Sequence, residues 1–215
     1  MRKSREETAA TRERILEAAS GELLRCGIAG TGLATLMEAA GLSQGGFYRH
    51  FESKEALVVE ALAQSFAAFA APFEAYTLRQ QGRKSISAAL EDYLSVPSRD
   101  CADSCPLVAL GSELVRGSGD VRETAADGMR RLVDVIASQL DDLPAPQAKA
   151  EAWAILSAMF GAMTLARIVP DDKTSETILK QTRALLVDRV DQASSKASGV
   201  RRKSPRATAK SRGVG

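Results

Sequence analysis

Residues 33–51 read LATLMEAAGLSQGGFYRHF. Leu33 to Ala40 forms a short helical run, Gly41-Leu42 is a tight turn, and Ser43 stands where a second short helix reaching Arg49 would be capped. Leu36, Ala40, Leu42 and Phe47 can hold the two helices together, which is helix-turn-helix geometry. Such a unit lays its second helix in the major groove of duplex DNA, with that helix's N-terminal residues at base edges. Gln44, Gly45 and Gly46 occupy that end. Two glycines in so short a helix cost about 1 kcal/mol each relative to alanine, and close backbone approach to DNA would offset the cost. Phe47 and Phe51 read as core. Tyr48, Arg49 and His50 offer phosphate-directed donors, and Ser53-Lys54 offer amides and a cation at the start of the next helix. His50 is the only histidine. The motif places no Ser, Cys or carboxylate beside it, so it reads as packed or phosphate-contacting rather than as a catalytic base.

Helical spacing continues on both sides. Ser4-Arg5-Glu6-Glu7 fits a capping box, and Arg12, Ile15, Leu16, Ala19, Leu23 and Cys26 follow at helical intervals up to a stop at Gly27. Ser53 caps a long helix carrying Leu57, Leu62, Phe66, Phe69 and Phe73, which Pro72 is expected to kink or end. Ile86, Leu90, Tyr93 and Leu94 mark another helix. A loop from Pro97 to Ser104 leads to Cys105-Pro106 and a helix with Leu107, Leu110 and Leu114, ended by Gly117-Ser118-Gly119. Further helices are expected over 121–140, 148–169 and 174–193. The reading is all-α, about nine helices: three small ones (residues 1–52), then a connector and a bundle (53–195).

The composition, 45% apolar and 26% charged over 215 residues, suits a globular chain with a real core. The N-terminus lacks the apolar stretch of a secretory signal. The apolar runs 58–73 and 150–169 are broken by Glu60, Gln64, Glu151 and Arg167, so no membrane span is expected. Three cysteines make no disulfide framework, and the cytoplasm is the expected compartment. The formal charge is +2, yet Lys196, Arg201, Arg202, Lys203, Arg206, Lys210 and Arg212 come with no acid among them. Residues 196–215 are therefore expected to be a disordered basic tail on a mildly acidic body. Phosphate-binding loop, dinucleotide fingerprint and metal motif are all missing, so neither an enzyme nor a cofactor or metal is expected. A general nucleoid protein is the competing DNA-binding class.

The residues from about 10 to 60 resemble the TetR family of regulators. Its pattern is met by Ala19 with Leu23-Leu24, Ala40-Gly41, Ser43, Gly45, Phe47-Tyr48, His50-Phe51 and Lys54-Glu55-Ala56-Leu57. Two positions depart. The family's usual threonine pair is Thr31-Gly32 here, leaving Thr31 as the one candidate phosphate-binding hydroxyl. The common Lys after the capping serine is Gln44, a side chain able to pair bidentately with adenine. The resemblance implies a homodimeric repressor on an inverted-repeat operator, released by a small-molecule or electrophilic effector. The DNA-contacting residues would be Thr31, Ser43, Gln44, Gly45, Gly46, Tyr48, Arg49, His50 and Lys54.

The resemblance also places an effector pocket among the C-terminal helices, with Phe66, Phe69, Phe73, Tyr93, Cys105, Leu110, Met129, Trp153, Phe160 and Met163 as candidates. Plain core packing is the alternative for each of them. The last two helices would pair two subunits, and the first of these is too apolar for a surface helix. Cys105 precedes Pro106 at an expected helix N-terminus, where the dipole would lower a thiol pKa. The run Cys105-Pro106-Leu107-Val108-Ala109-Leu110 is similar to that of a family branch responding to electrophiles such as N-ethylmaleimide. Two readings stay open for Cys105: a buried inert thiol, and a reactive one with Cys101 as resolving partner.

Overall fold

The computed structural model describes residues 5–79, 81–101 and 105–200, with side chains through residue 190. Among these residues it is all-α. In chain order the elements are α1 (Arg5–Cys26), α2 (Leu33–Ala39), a 3-10 helix (Gln44–Arg49), α3 (Lys54–Arg79), α4 (Arg83–Tyr93), α5 (Val96–Asp100), α6 (Pro106–Arg116), α7 (Gly119–Ser138), α8 (Ala145–Ile168) and α9 (Asp172–Val200).

The punctuation follows backbone chemistry. Gly27 and Gly41 adopt φ of 79° and 70°, which glycine alone takes without strain. At Gly41 the amides of Gly41 and Leu42 return to the carbonyls of Glu38 and Met37, both at 2.8 Å, closing α2 and turning the chain. Ser53 Oγ accepts from the Ala56 amide at 3.0 Å and starts α3.

Three expectations are revised and the one at Pro72 is narrowed. The segment 44–49 is a 3-10 helix, as two glycines weaken the α preference. Pro72 lies inside α3 and does not end it, because α3 is held along its length against α7, α1 and α4. The expected loop from Pro97 holds a helical turn, α5, whose Ser95 cap accepts from the Ser98 amide at 3.3 Å. The helix α9 continues through Val200, into the expected tail; residues 201–215, like Ser4 of the expected capping box, lie outside the described residues.

Two cores result. The head core joins Ile15, Leu23, Leu36, Phe47 and Leu57 to Leu110 and Leu114 of α6 and Val121 and Ala125 of α7. The bundle core gathers α4, α7, α8 and α9 around Leu90, Leu132, Ile155 and Met163. The helix α3 is long and apolar enough to cross a bilayer by length and composition, and here its apolar residues enter both cores. At its middle a Cβ on Gly128 of α7 would overlap the Phe66 ring, so glycine sets how closely α3 and α7 approach. At the far end Arg83 is buried; it pairs with Asp142 at 2.8 Å and donates to the Val190 carbonyl at 2.6 Å, tying α4 to α9.

Candidate functional site

The head is braced from within. Phe47 is fully buried, edge-on to Tyr48 at 5.1 Å and stacked on Phe51 at 5.7 Å between centroids. The Arg12 guanidinium lies 4.6 Å over the Phe51 ring and pairs with Glu60 of α3 at 2.6 Å. Arg14 donates to the Ala40 carbonyl at 2.8 Å, fixing α2 and its turn to α1. These contacts hold the 3-10 helix from behind and leave its outer side open.

Ser43, Gln44, Gly45, Tyr48 and Arg49 are exposed, with Tyr48 at 73%. The Ser43 hydroxyl makes no capping bond. Among the described residues nothing lies within 4 Å of where a Cβ would stand on Gly45 or Gly46, and neither has positive φ. Among the described residues, then, no internal contact accounts for either glycine. Gly46 and His50 are half-buried beside this surface. Lys54 is half-buried, its ammonium 3.5 Å from the Ile28 carbonyl. Thr31 is different. It is fully buried and its hydroxyl donates to the Gly27 carbonyl at 2.6 Å, so it clasps the α1–α2 turn instead of facing outward.

A second region lies in the bundle. Phe69 and Phe73 of α3, Tyr93 of α4 and Phe160 of α8 form an aromatic cluster with centroids 5.4 to 6.4 Å apart. Beside it opens a cavity of about 240 Å³, lined by Phe69, Pro72, Phe73, Tyr76, Asp92 and Tyr93 among others. Burial, with nearby Asp92, raises the Tyr76 hydroxyl pKa. The remaining candidates scatter. Phe66 and Leu110 belong to the head core, and Met163 is wholly buried in the bundle core. Met129 borders an open groove between α6 and α7. Trp153 is 41% exposed on the outer side of α8.

Cys105 does sit at the N-cap of α6, before Pro106. It is also fully buried, which corrects the expectation of a lowered pKa. Burial pushes the thiol pKa up, outweighing the neighbouring Tyr93 hydroxyl, the Val108 and Leu107 amides and the Arg167 charge. Burial likewise raises the Tyr93 hydroxyl. Cys101 is exposed.

Sequence reasoning passed over Tyr76 and Asp92, and took Arg167 only as a break in an apolar run. The Arg167 guanidinium donates to the carbonyls of Ser98 at 3.2 Å and Cys101 at 2.7 Å, closing α5 over α8. The spacing Phe69, Phe73, Tyr76 puts three rings on one face of α3, and Arg167 is a charge within an apolar run. Both signals were available in the sequence.

Besides the apolar packing of α6 and α7 into the head core, hydrogen bonds from α6 join the two regions. Glu113, near the end of α6, accepts from the amides of Ile28 at 2.5 Å and Ala29 at 3.4 Å in the α1–α2 turn. The helix that begins at Cys105 beside the aromatic cluster therefore ends on the N-terminal head.

Residues 15–61 match the family model of bacterial regulatory proteins, tetR family. Residues 83–181 match that of the transcriptional regulator LmrA/YxaF-like C-terminal domain. The HTH-type transcriptional repressor NemR of Escherichia coli K12 is 28% identical over 135 residues, 61% of this chain and 68% of that protein. The HTH-type transcriptional regulator TtgR of Pseudomonas putida is 42% identical over 65 residues, 30% of each chain. A TetR transcriptional regulator from Chloroflexus aurantiacus superposes with a TM-score of 0.74 at 26% identity, over 87% of this chain and 97% of that one.

Proposed function

Because the chain belongs to the TetR family of bacterial transcriptional regulators, we propose that it is a cytoplasmic repressor. It binds an inverted-repeat operator as a homodimer and releases it when an apolar or aromatic effector enters the bundle. The carrying observation is the outer side of the 3-10 helix, where Gly45 and Gly46 leave open space that no described residue fills. Gln44 reads a base edge; Tyr48, Arg49 and Lys54 hold phosphates.

The cavity at Phe69, Phe73 and Tyr93 supports a reversibly bound effector. Its volume of about 240 Å³ lies just below the usual range of about 300–1,000 Å³ for ligand pockets, and its walls are apolar with a few polar groups. The burial of Cys105 argues against direct attack on an electrophile, since the thiolate is the reactive form. An effector that displaces α6 moves Glu113, and with it the α1–α2 turn. Releasing DNA then requires only that the occupied state disfavour the DNA-bound spacing, about 1.4 kcal/mol for each tenfold in affinity.

The dimer reading rests on α8 and α9. Ala154, Ser157 and Gly161 form a stripe of small residues on the outside of α8, flanked by exposed Trp153, Leu165 and Ile168, with Leu185 exposed on α9. Apolar side chains grouped this way belong at an interface.

The test is selection of bound fragments from a genomic library, followed by footprinting. The expected result is a symmetric footprint over two half-sites. Equal retention of arbitrary duplex would reject a sequence-specific repressor in favour of a general DNA-coating protein.

A further inference from the structure

A second hollow, of about 470 Å³, lies where the reading head meets the bundle. It shares no lining residue with the aromatic cavity. Its apolar floor comes from Ile28 after α1, Val58 of α3 and Val121 of α7, and Lys54 and Arg116 stand at its edge.

The charges in it are unevenly used. Glu113 spends its carboxylate on the Ile28 and Ala29 amides. Glu55 is exposed in the first turn of α3, where the helix dipole favours it. Among the described residues Lys54 reaches only the Ile28 carbonyl, at 3.5 Å, the far limit of a hydrogen bond. Arg116 is exposed and makes no hydrogen bond or ion pair among the described residues. The crevice thus combines an apolar floor, a volume within the usual ligand range, and two cations that pair with no anion among the described residues.

The geometry points to a binding site here for a small amphipathic carboxylate. Its hydrocarbon body rests on Ile28, Val58 and Val121. Its carboxylate is held by the Arg116 guanidinium, whose planar fork suits two oxygens, with Lys54 alongside. The consequence for regulation rests on the operator reading above. Lys54 drawn into the crevice leaves its phosphate, and the ligand body presses on the turn that Glu113 holds. Operator affinity falls, and the log K versus log[salt] slope becomes shallower by about one unit per subunit.

The experiment titrates the full-length protein, without DNA, with 4-phenylbutyrate and with its neutral amide, by calorimetry. Saturable binding of one carboxylate per chain is expected, at least tenfold weaker for the amide. Arg116→Gln should also weaken it at least tenfold, whereas Phe73→Leu in the aromatic cavity should leave it unchanged. Equal binding of acid and amide, loss on Phe73→Leu in place of Arg116→Gln, or no saturation at millimolar ligand would overturn the site. A parallel operator titration separates the two readings. The carboxylate should weaken operator binding by wild type and not by Arg116→Gln, whose ligand-free operator affinity should match wild type. Carboxylate binding that leaves operator affinity untouched would remove the regulatory consequence and keep the site. A protein that binds no operator would reject the repressor reading while the DNA-free titration still decides the site.

Discussion

In the proposed operator complex, Gln44 and Tyr48 meet different chemistry from one short helix. An amide side chain at a base edge discriminates, while a hydroxyl or ammonium at a phosphate only positions. Gln44→Ala should therefore cost about 1–3 kcal/mol at one base position and relax specificity there. Tyr48→Phe and Lys54→Ala should weaken binding to every sequence alike, and Lys54→Ala should also reduce the salt slope. Competition binding with a set of single-base operator variants separates the two patterns. Cys105 carries a different prediction, about pH. Its thiol and the Tyr93 hydroxyl both have raised pKa values in the folded chain. Above the ordinary thiol value of 9.0 the unfolded chain gives up a proton that the folded chain keeps. The stability due to this burial is complete below that pH and is lost as pH rises through the folded value. Thermal melts from pH 7 to 10 should show the midpoint falling at the alkaline end, less steeply in Cys105→Ser. Maleimide labelling of Cys105 should be slow in the native protein and fast once it is unfolded. An equally fast rate in both would restore the reactive-thiol reading. The N-cap place of Cys105 was legible from Pro106, but its burial was not, because the ring that covers it, Tyr93, comes from another helix.

Single elements show the same division. The turn at Gly41 and the start of α3 at Ser53 were legible because one residue type decides each. The 3-10 geometry of 44–49 was not, since six residues cannot separate a repeat of 3.0 from one of 3.6. Neither was the passage of α3 through Pro72, which depends on partners distant in sequence. The open space at Gly46 makes a prediction of opposite signs. Gly46→Ala should raise stability by up to about 1 kcal/mol through helix propensity, while lowering operator affinity because the added methyl occupies the DNA side. Denaturant melts and operator titrations on the same preparation test both; a stabilised variant with full affinity would remove the close-approach argument. The helix α6 is tested through Glu113. In Glu113→Gln a charge-assisted acceptor becomes a neutral one, at a cost of about 1 kcal/mol. The expected signature is a smaller effector-induced loss of operator affinity, read as the ratio of affinities with and without effector. An unchanged ratio would mean that coupling runs through α3 alone.

The dimer proposed above places the outside of α8 at its interface. Leu165 is 54% exposed on the small-residue side of α8, and Gly161 next to it has open space where a side chain would be. Leu165→Glu should leave the fold intact, since the side chain already meets solvent in the single chain, and should shift the protein to monomers. Sedimentation at micromolar concentration checks the mass, and operator binding should fall with it, because one helix-turn-helix holds only a half-site. A stable dimer in this variant would place the interface elsewhere. The general architecture was legible from helical spacing, whereas the boundary drawn after residue 52 was not a boundary in the core. Leu110, Leu114, Val121 and Ala125 fill the head from the other side. That shared filling limits what can be exchanged between relatives. A chimera that joins residues 1–52 to a foreign sensing bundle keeps the reading surface but replaces those four side chains with whatever the donor supplies. Each mismatch leaves a void or an overlap under the head, at about 1–3 kcal/mol apiece. The transplantable unit is therefore discontinuous in sequence: the first three helical segments and the N-terminal half of α3, together with the facing sides of α6 and α7.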